Sequence, residues 1–214
     1  MRMIEQLINV LSKILFNKEA KNNDEALREI DNASKLIVGL DFSLLEKLSA
    51  YDIKSLLGIT KNESTVSVKL IIIAKLVKEK TDILKLTSPD NPEIIYNYQK
   101  AISLYLDGIL DNKNTEVDLS KFYQDVKEIE NILEDEIDAD TRIKLFRFYE
   151  LQRKFAKAEN ELFRLKEMNY PGIEEIGISF FKSLESLSED DLQEGNFSKE
   201  EIAQGIKDFR EKES

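Results

Sequence analysis

The sequence predicts an all-α protein, and three observations carry that prediction. Only 3 prolines and 7 glycines occur in 214 residues, too few for the many tight turns of a β fold. The chain is rich in Lys, Glu, Leu and Ile, a composition that suits helices. Its apolar residues recur with a period close to 3.6 almost throughout.

The first segment sets Ile4, Leu7, Ile8, Leu11, Ile14 and Leu15 on one helical face. The second does the same with Ala26, Leu27, Ile30, Ala33, Leu36, Ile37 and Leu40, with Asn23 or Asp24 as its N-cap and Gly39 at its end. Two short helices follow, because Ser43 with Glu46 and Ser49 with Asp52 both have the spacing of a capping box. Gly58 is a stop, and a polar loop is expected between Thr60 and Thr65.

Val66 to Leu86 reads as a long helix whose middle, Leu70 to Val77, is apolar nearly all round. Such a helix lies buried between neighbours. A strand competes for VSVKLIIIAKLV, but the pattern persists at Ile83 and Leu84 without a turn signal. In Ser88-Pro89-Asp90-Asn91-Pro92, Asn91 caps and Pro92 takes the first helical position. The next helix carries Ile94, Ile95, Tyr98, Ala101, Ile102, Tyr105, Leu106 and Ile109.

After a loop from Asp111 to Thr115, Asp118 caps a helix with Leu119, Phe122, Tyr123, Val126, Ile129 and Leu133. Asp140 is expected to cap a helix with Ile143, Leu145, Phe146, Phe148, Tyr149 and Leu151. A break near Lys154 leads to Phe155, Ala158, Leu162 and Leu165. Pro171 and Gly172 then punctuate before Ile173, Ile176, Phe180, Phe181, Leu184 and Leu187. Residues 188–197 read as an acidic linker, and Ser198 with Glu201 opens a last helix carrying Ile202, Ile206 and Phe209. The total is about ten or eleven antiparallel helices joined by short loops. They form a single all-α domain over residues 1–214, with its softest division at 88–92.

Composition excludes much chemistry. There is no Cys and no His, so disulfides, thiolate ligands, imidazole bases and Ser-His or Cys-His arrangements are out. No glycine-rich phosphate loop, dinucleotide fingerprint or nucleophile elbow occurs. No pattern calls for a cofactor. The formal net charge is −11 with lysines interleaved among acids, which disfavours nucleic acid and favours a basic partner. No apolar run approaches the ~20 residues of a bilayer span. The first 16 residues carry polar side chains with no cleavage site after them, so a cytoplasmic protein without a membrane segment is expected.

The segment Leu145 to Leu165 resembles a tetratricopeptide repeat. Leu145 and Tyr149 stand in the first-helix positions, and Phe155, Ala158 and Leu162 in the second. A small residue at Ala158 lets the paired helices approach closely. Phe146, Gln152, Leu165 and the late Pro171 depart from the pattern. The second-helix spacing recurs at Tyr98, Ala101, Tyr105 and Gly108, and partly at Asn23, Ala26, Ile30 and Ala33, without the regular period of about 34 residues. Stacked tetratricopeptide-like hairpins and an irregular helical bundle both fit. The opening MRMIEQLINVLSKILFNKEAKNNDEALREID, with the overall length, also resembles a bacterial family of unknown function. That resemblance implies tetratricopeptide-like helices and no particular activity.

The residues point to binding rather than catalysis. In tetratricopeptide proteins the first helices line the groove, which would place Lys144, Arg147 and Leu151 on that face, where the two cations can clamp an acidic peptide. The expected function is a protein-interaction or scaffold module that takes a protein or peptide partner, with self-association open. The alternative is a regulatory protein binding a small ligand or metal ion. Its candidate sites are the aromatic zone Tyr96, Tyr98, Tyr105, Phe122 and Tyr123, and the acidic run Glu134, Asp135, Glu136, Asp138 and Asp140. Helical spacing makes the first core packing, and the second lacks a calcium loop's glycine and distal glutamate. The N-terminal helix can pack on its neighbour or dock elsewhere; its weakly basic polar face favours packing.

Overall fold

A computed structural model describes residues 2–59, 63–112 and 118–210. Every regular element in them is helical. The helices group by contact into two compact units, Met1–Ile137 and Asp138–Ser214. The parting falls there, and Ser88 to Pro92 lies inside the first unit.

In the first unit α1 (Arg2–Glu19) and α2 (Asn23–Ala33) form a hairpin. The cap of α2 is Asn22, one residue earlier than expected, and no side-chain hydrogen bond closes it. A π-helical turn, Ser34–Val38, continues α2 and ends at Gly39, whose φ of 85° suits a residue without Cβ. The wider turn alters the register. Ile37 and Val38 go inward, and Leu36, expected on the buried face, is 74% exposed.

Two short helices follow, α3 (Phe42–Lys47) and α4 (Ala50–Gly58). Ser49 and Asp52 form the expected capping box, each side chain bonded to the other's backbone N–H. Ser43 does not cap. Asp41 precedes α3 instead, and Ser43 lies within the helix.

The long helix α5 (Glu63–Thr87) begins before Thr65, and residues 60–62 of the expected loop lie outside the described residues. From Leu70 to Leu76 every side chain except Lys75 is fully buried. A helix apolar on all sides needs partners on all sides, and α1, α2, the π turn, α4 and α6 supply them. The hairpin partner is α6 (Glu93–Leu110). The cap is Pro92 and not Asn91, so the proline stands one place before the first helical residue, while Asn91 Oδ1 accepts the Glu93 N–H at 2.8 Å. The two helices approach closely at Gly108, where an added Cβ would lie 2.8 Å from both Ile71 Cγ1 and the Ser67 carbonyl oxygen.

The unit closes with a 3-10 turn, Ser120–Phe122, then α7 (Tyr123–Leu133) and a 3-10 turn, Glu134–Glu136. Asp118 Oδ1 accepts the Ser120 N–H at 2.8 Å, but the caps of the 3-10 turn and of α7 are Leu119 and Phe122, so Asp118 does not cap the expected helix. Residues 113–115 of the expected loop lie outside the described residues.

In the second unit α8 (Ala139–Leu151) and α9 (Phe155–Glu167) form a tight hairpin, with Arg153 left-handed at φ 56° in its turn. The cap of α8 is Asp138, which accepts from Thr141 N, and not Asp140. The helix α10 (Ile173–Leu184) follows. The expected linker contains a short helix, α11 (Glu189–Glu194), capped by Ser188. Buried Leu192 and Phe197 tie that acidic stretch to the core. The last helix is α12 (Lys199–Arg210), with Ser198 Oγ accepting from Glu201 N.

Two reciprocal contacts join α10 and α12. Phe209 of α12 lies over Gly177 of α10, and Phe181 of α10 lies over Gly205 of α12. Any Cβ at either glycine would sit inside the opposing ring.

Gly108→Ala is expected to lower stability by about 1–3 kcal/mol through overpacking, although alanine has the better helix propensity. Gly58→Ala, with no described residue within 4 Å of the added Cβ, leaves stability unchanged or raised. Urea unfolding of the two variants checks this.

Candidate functional site

The helix α8 is buried around most of its circumference by Thr141, Arg142, Leu145, Phe146, Phe148 and Tyr149. The strip left open contains Asp140, Lys144, Arg147 and Leu151, which follow one another at helical i, i+4, i+7 and i+11 spacing. Arg147 is exposed, bonds Glu150 at 2.8 Å and lies 4.8 Å from the Phe146 ring centroid. Lys144 is partly buried and engaged with its surroundings. Leu151 is 58% exposed. The three residues named from sequence thus share one face. The five hairpin residues Leu145, Tyr149, Phe155, Ala158 and Leu162 are all buried.

Inside the same hairpin Arg142 and Glu161 form a buried ion pair at 3.1 Å. No sequence pattern signalled it, since the two residues lie on separate helices. Removing one partner of such a pair strands a buried charge and typically costs about 3–5 kcal/mol. It fixes the register of α8 on α9 and offers no open coordination or reactive group.

The first unit holds a larger polar constellation, centred on the second half of α5. Lys75 bonds Glu79 at 3.2 Å and Asp125 of α7 at 2.8 Å. Lys78 reaches Asp82 at 3.1 Å and Glu128 at 3.2 Å. Lys18, near the end of α1, reaches Glu79 at 2.7 Å. Tyr98 donates to Asp82 at 2.8 Å and Tyr105 to Asp125 at 3.1 Å.

Tyr98, Tyr105 and Phe122 of the aromatic zone therefore lie in the core, with both of these hydroxyls ending on carboxylates, whereas Tyr96 is 49% exposed and Tyr123 is half-buried. Burial, reinforced by Asp82 for Tyr98 and by Asp125 for Tyr105, raises both phenols well above their ordinary value. Burial opposes the Lys78 charge, but Asp82, Asp125 and Glu128 outweigh it and raise its pKa too. All three groups hold their protons at neutral pH, so they order the core instead of transferring protons. Lys100 differs. Burial lowers its pKa, and its ammonium donates to the Glu46 carbonyl at 2.8 Å and the Leu45 carbonyl at 3.4 Å, near the C-terminal end of α3.

Among the described residues no group of three or more carboxylates is placed to hold a metal ion, the acidic run at 134–140 included. None of the described helices is long and apolar enough to cross a membrane.

The chain belongs to a family of unknown function, DUF6483, whose model matches residues 1–214. No curated protein and no solved structure matches it.

One carboxyl of the second unit titrates near neutrality. Burial, with Glu201 and Asp208 of α12 nearby, pushes Glu159 up to about 7 from 4.5. The folded state then binds this proton more tightly than the unfolded state. Stability is therefore lost as pH rises from 4.5 through 7. Glu159→Gln is expected to be more stable than the parent at pH 8, with the gap closing toward pH 5. Urea unfolding at the two values checks the sign.

Proposed function

We propose that this chain is a non-catalytic interaction module whose tetratricopeptide-like hairpin, α8 and α9, offers its open strip to an acidic and apolar segment of a partner protein. One observation carries the reading. On a helix otherwise buried, the open strip sets a 58% exposed leucine beside Arg147 and Lys144, in a chain of net charge −11.

An apolar anchor next to guanidinium and ammonium donors is a recurring means of holding a peptide side chain and a carboxylate together. Surrounding acids repel non-specific anions, so only a ligand that fills the Leu151 contact gains from the cations. The absence of His and Cys from the sequence supports binding over catalysis. The small, wholly buried Ala158 of α9 supports the tetratricopeptide-like packing.

The test is affinity capture of the tagged chain from its native lysate at low and high salt, with mass spectrometry of the co-eluting proteins. The expected result is a specific partner held at low salt, weakened at high salt, and lost from a Lys144→Glu, Arg147→Glu variant that stays folded. A variant retaining every partner overturns the assignment of this strip.

A further inference from the structure

The hairpin of α1 and α2 buries one face of α1 and leaves a second apolar face open. Ile4, Leu7 and Ile14 are buried, whereas Ile8 and Leu15 are each 47% exposed and Phe16 is 70% exposed. Ile8, Ser12 and Leu15 follow the alternating four-three spacing of a coiled-coil seam. Glu5 and Glu19 extend that spacing at either end. Ser12 does not make the seam polar, because its hydroxyl donates to the Ile8 carbonyl at 3.1 Å. Glu5 and Glu19 are exposed, and neither is ion-paired to another described residue. The strip is therefore apolar in the middle and carries an exposed glutamate at either end.

We propose that this face docks an amphipathic helix of a partner protein, one whose apolar seam is bracketed by basic residues. Charge decides between the possible occupants. A second copy of this chain fits poorly. An antiparallel seam centred on Ser12 sets Glu5 against Glu19 of the other copy, and a parallel seam sets each glutamate against its own counterpart. Both arrangements place like charges at the ends of the contact. An anionic membrane surface meets the same acids and a chain of net charge −11. A helix with lysines or arginines about one turn beyond its apolar residues satisfies both ends at once, and its leucines cover Ile8, Leu15 and Phe16. The face belongs to the first unit and stands independently of the α8 strip.

The experiment uses the full chain and two fluorescent helical peptides about three heptads long. Both carry a leucine seam; one is bracketed by lysines, the other by glutamates. Fluorescence anisotropy is expected to show the lysine-bracketed peptide binding about tenfold or more tightly, with the advantage shrinking as salt is raised. An Ile8→Ser, Leu15→Ser variant is expected to lose that binding with its circular dichroism unchanged. Should that variant melt early, Glu5→Lys with Glu19→Lys decides, since both side chains are exposed; it must reverse the preference between the peptides. The Lys144→Glu, Arg147→Glu variant must bind the peptide as the parent does. The proposal is overturned by equal binding of the two peptides or by an unreversed preference. It is also overturned by a dimer in sedimentation equilibrium, or by co-sedimentation with phosphatidylglycerol vesicles, that Ile8→Ser, Leu15→Ser abolishes.

Discussion

The burial of α5 on every side is the constraint on which the first unit depends. Seven successive positions from Leu70 to Leu76 leave no solvent face apart from Lys75. A single antiparallel neighbour covers only part of a helix. The hairpin with α6 must therefore be completed by α1, α2, the π turn and α4. This explains why the unit consists of short elements around one long helix. The short helices α3 and α4 have few residues with which to stabilise themselves. They fold where larger elements give them apolar surface, α4 against α5 and α6 and α3 against α2, with Phe42, Leu45, Ile53 and Leu57 buried.

The same helix accounts for the polar constellation. Beyond Val77 the buried path continues but the side chains become charged, with Lys78 and Glu79 both buried. Charges at such depth require partners. Each of Lys75, Lys78 and Lys18 meets carboxylates from more than one position, and Tyr98 and Tyr105 supply further hydrogen bonds. The pairing links α1, α5, α6 and α7 by directional contacts, where the apolar half links α5 to its neighbours by shape. A helix slipped by one residue would leave ions unpaired, so the polar half sets the register that the apolar half alone would leave loose.

Much of this was legible in the residue order, because helices report themselves through period, caps and breakers. The Ser49–Asp52 box and the all-round apolar stretch of α5 appear as read, and the start expected at Asn91–Pro92 is displaced by one residue. Three features were not legible, for separate physical reasons. The π turn changes the period locally, so a fixed 3.6 pattern placed Leu36 inward. The acidic stretch at 188–197 contains only two strongly buried apolar side chains, Leu192 and Phe197, and these follow no long period. The ion pairs join residues far apart in sequence, such as Lys75 with Asp125, and no local pattern announces them. Lys144, Arg147 and Leu151 could be set on one face from the residue order because they lie on one helix. The Arg142–Glu161 pair was missed because it spans two.

Native-state hydrogen exchange on the amides of Leu70 to Val77 tests the central role of α5 most directly. If the unit depends on α5 being enclosed, these amides exchange only through global unfolding of the first unit. Their opening free energy then equals that measured by denaturant and falls with it as urea is raised. Exchange of the same amides through a small local opening, with little urea dependence and well below the global value, would contradict the account.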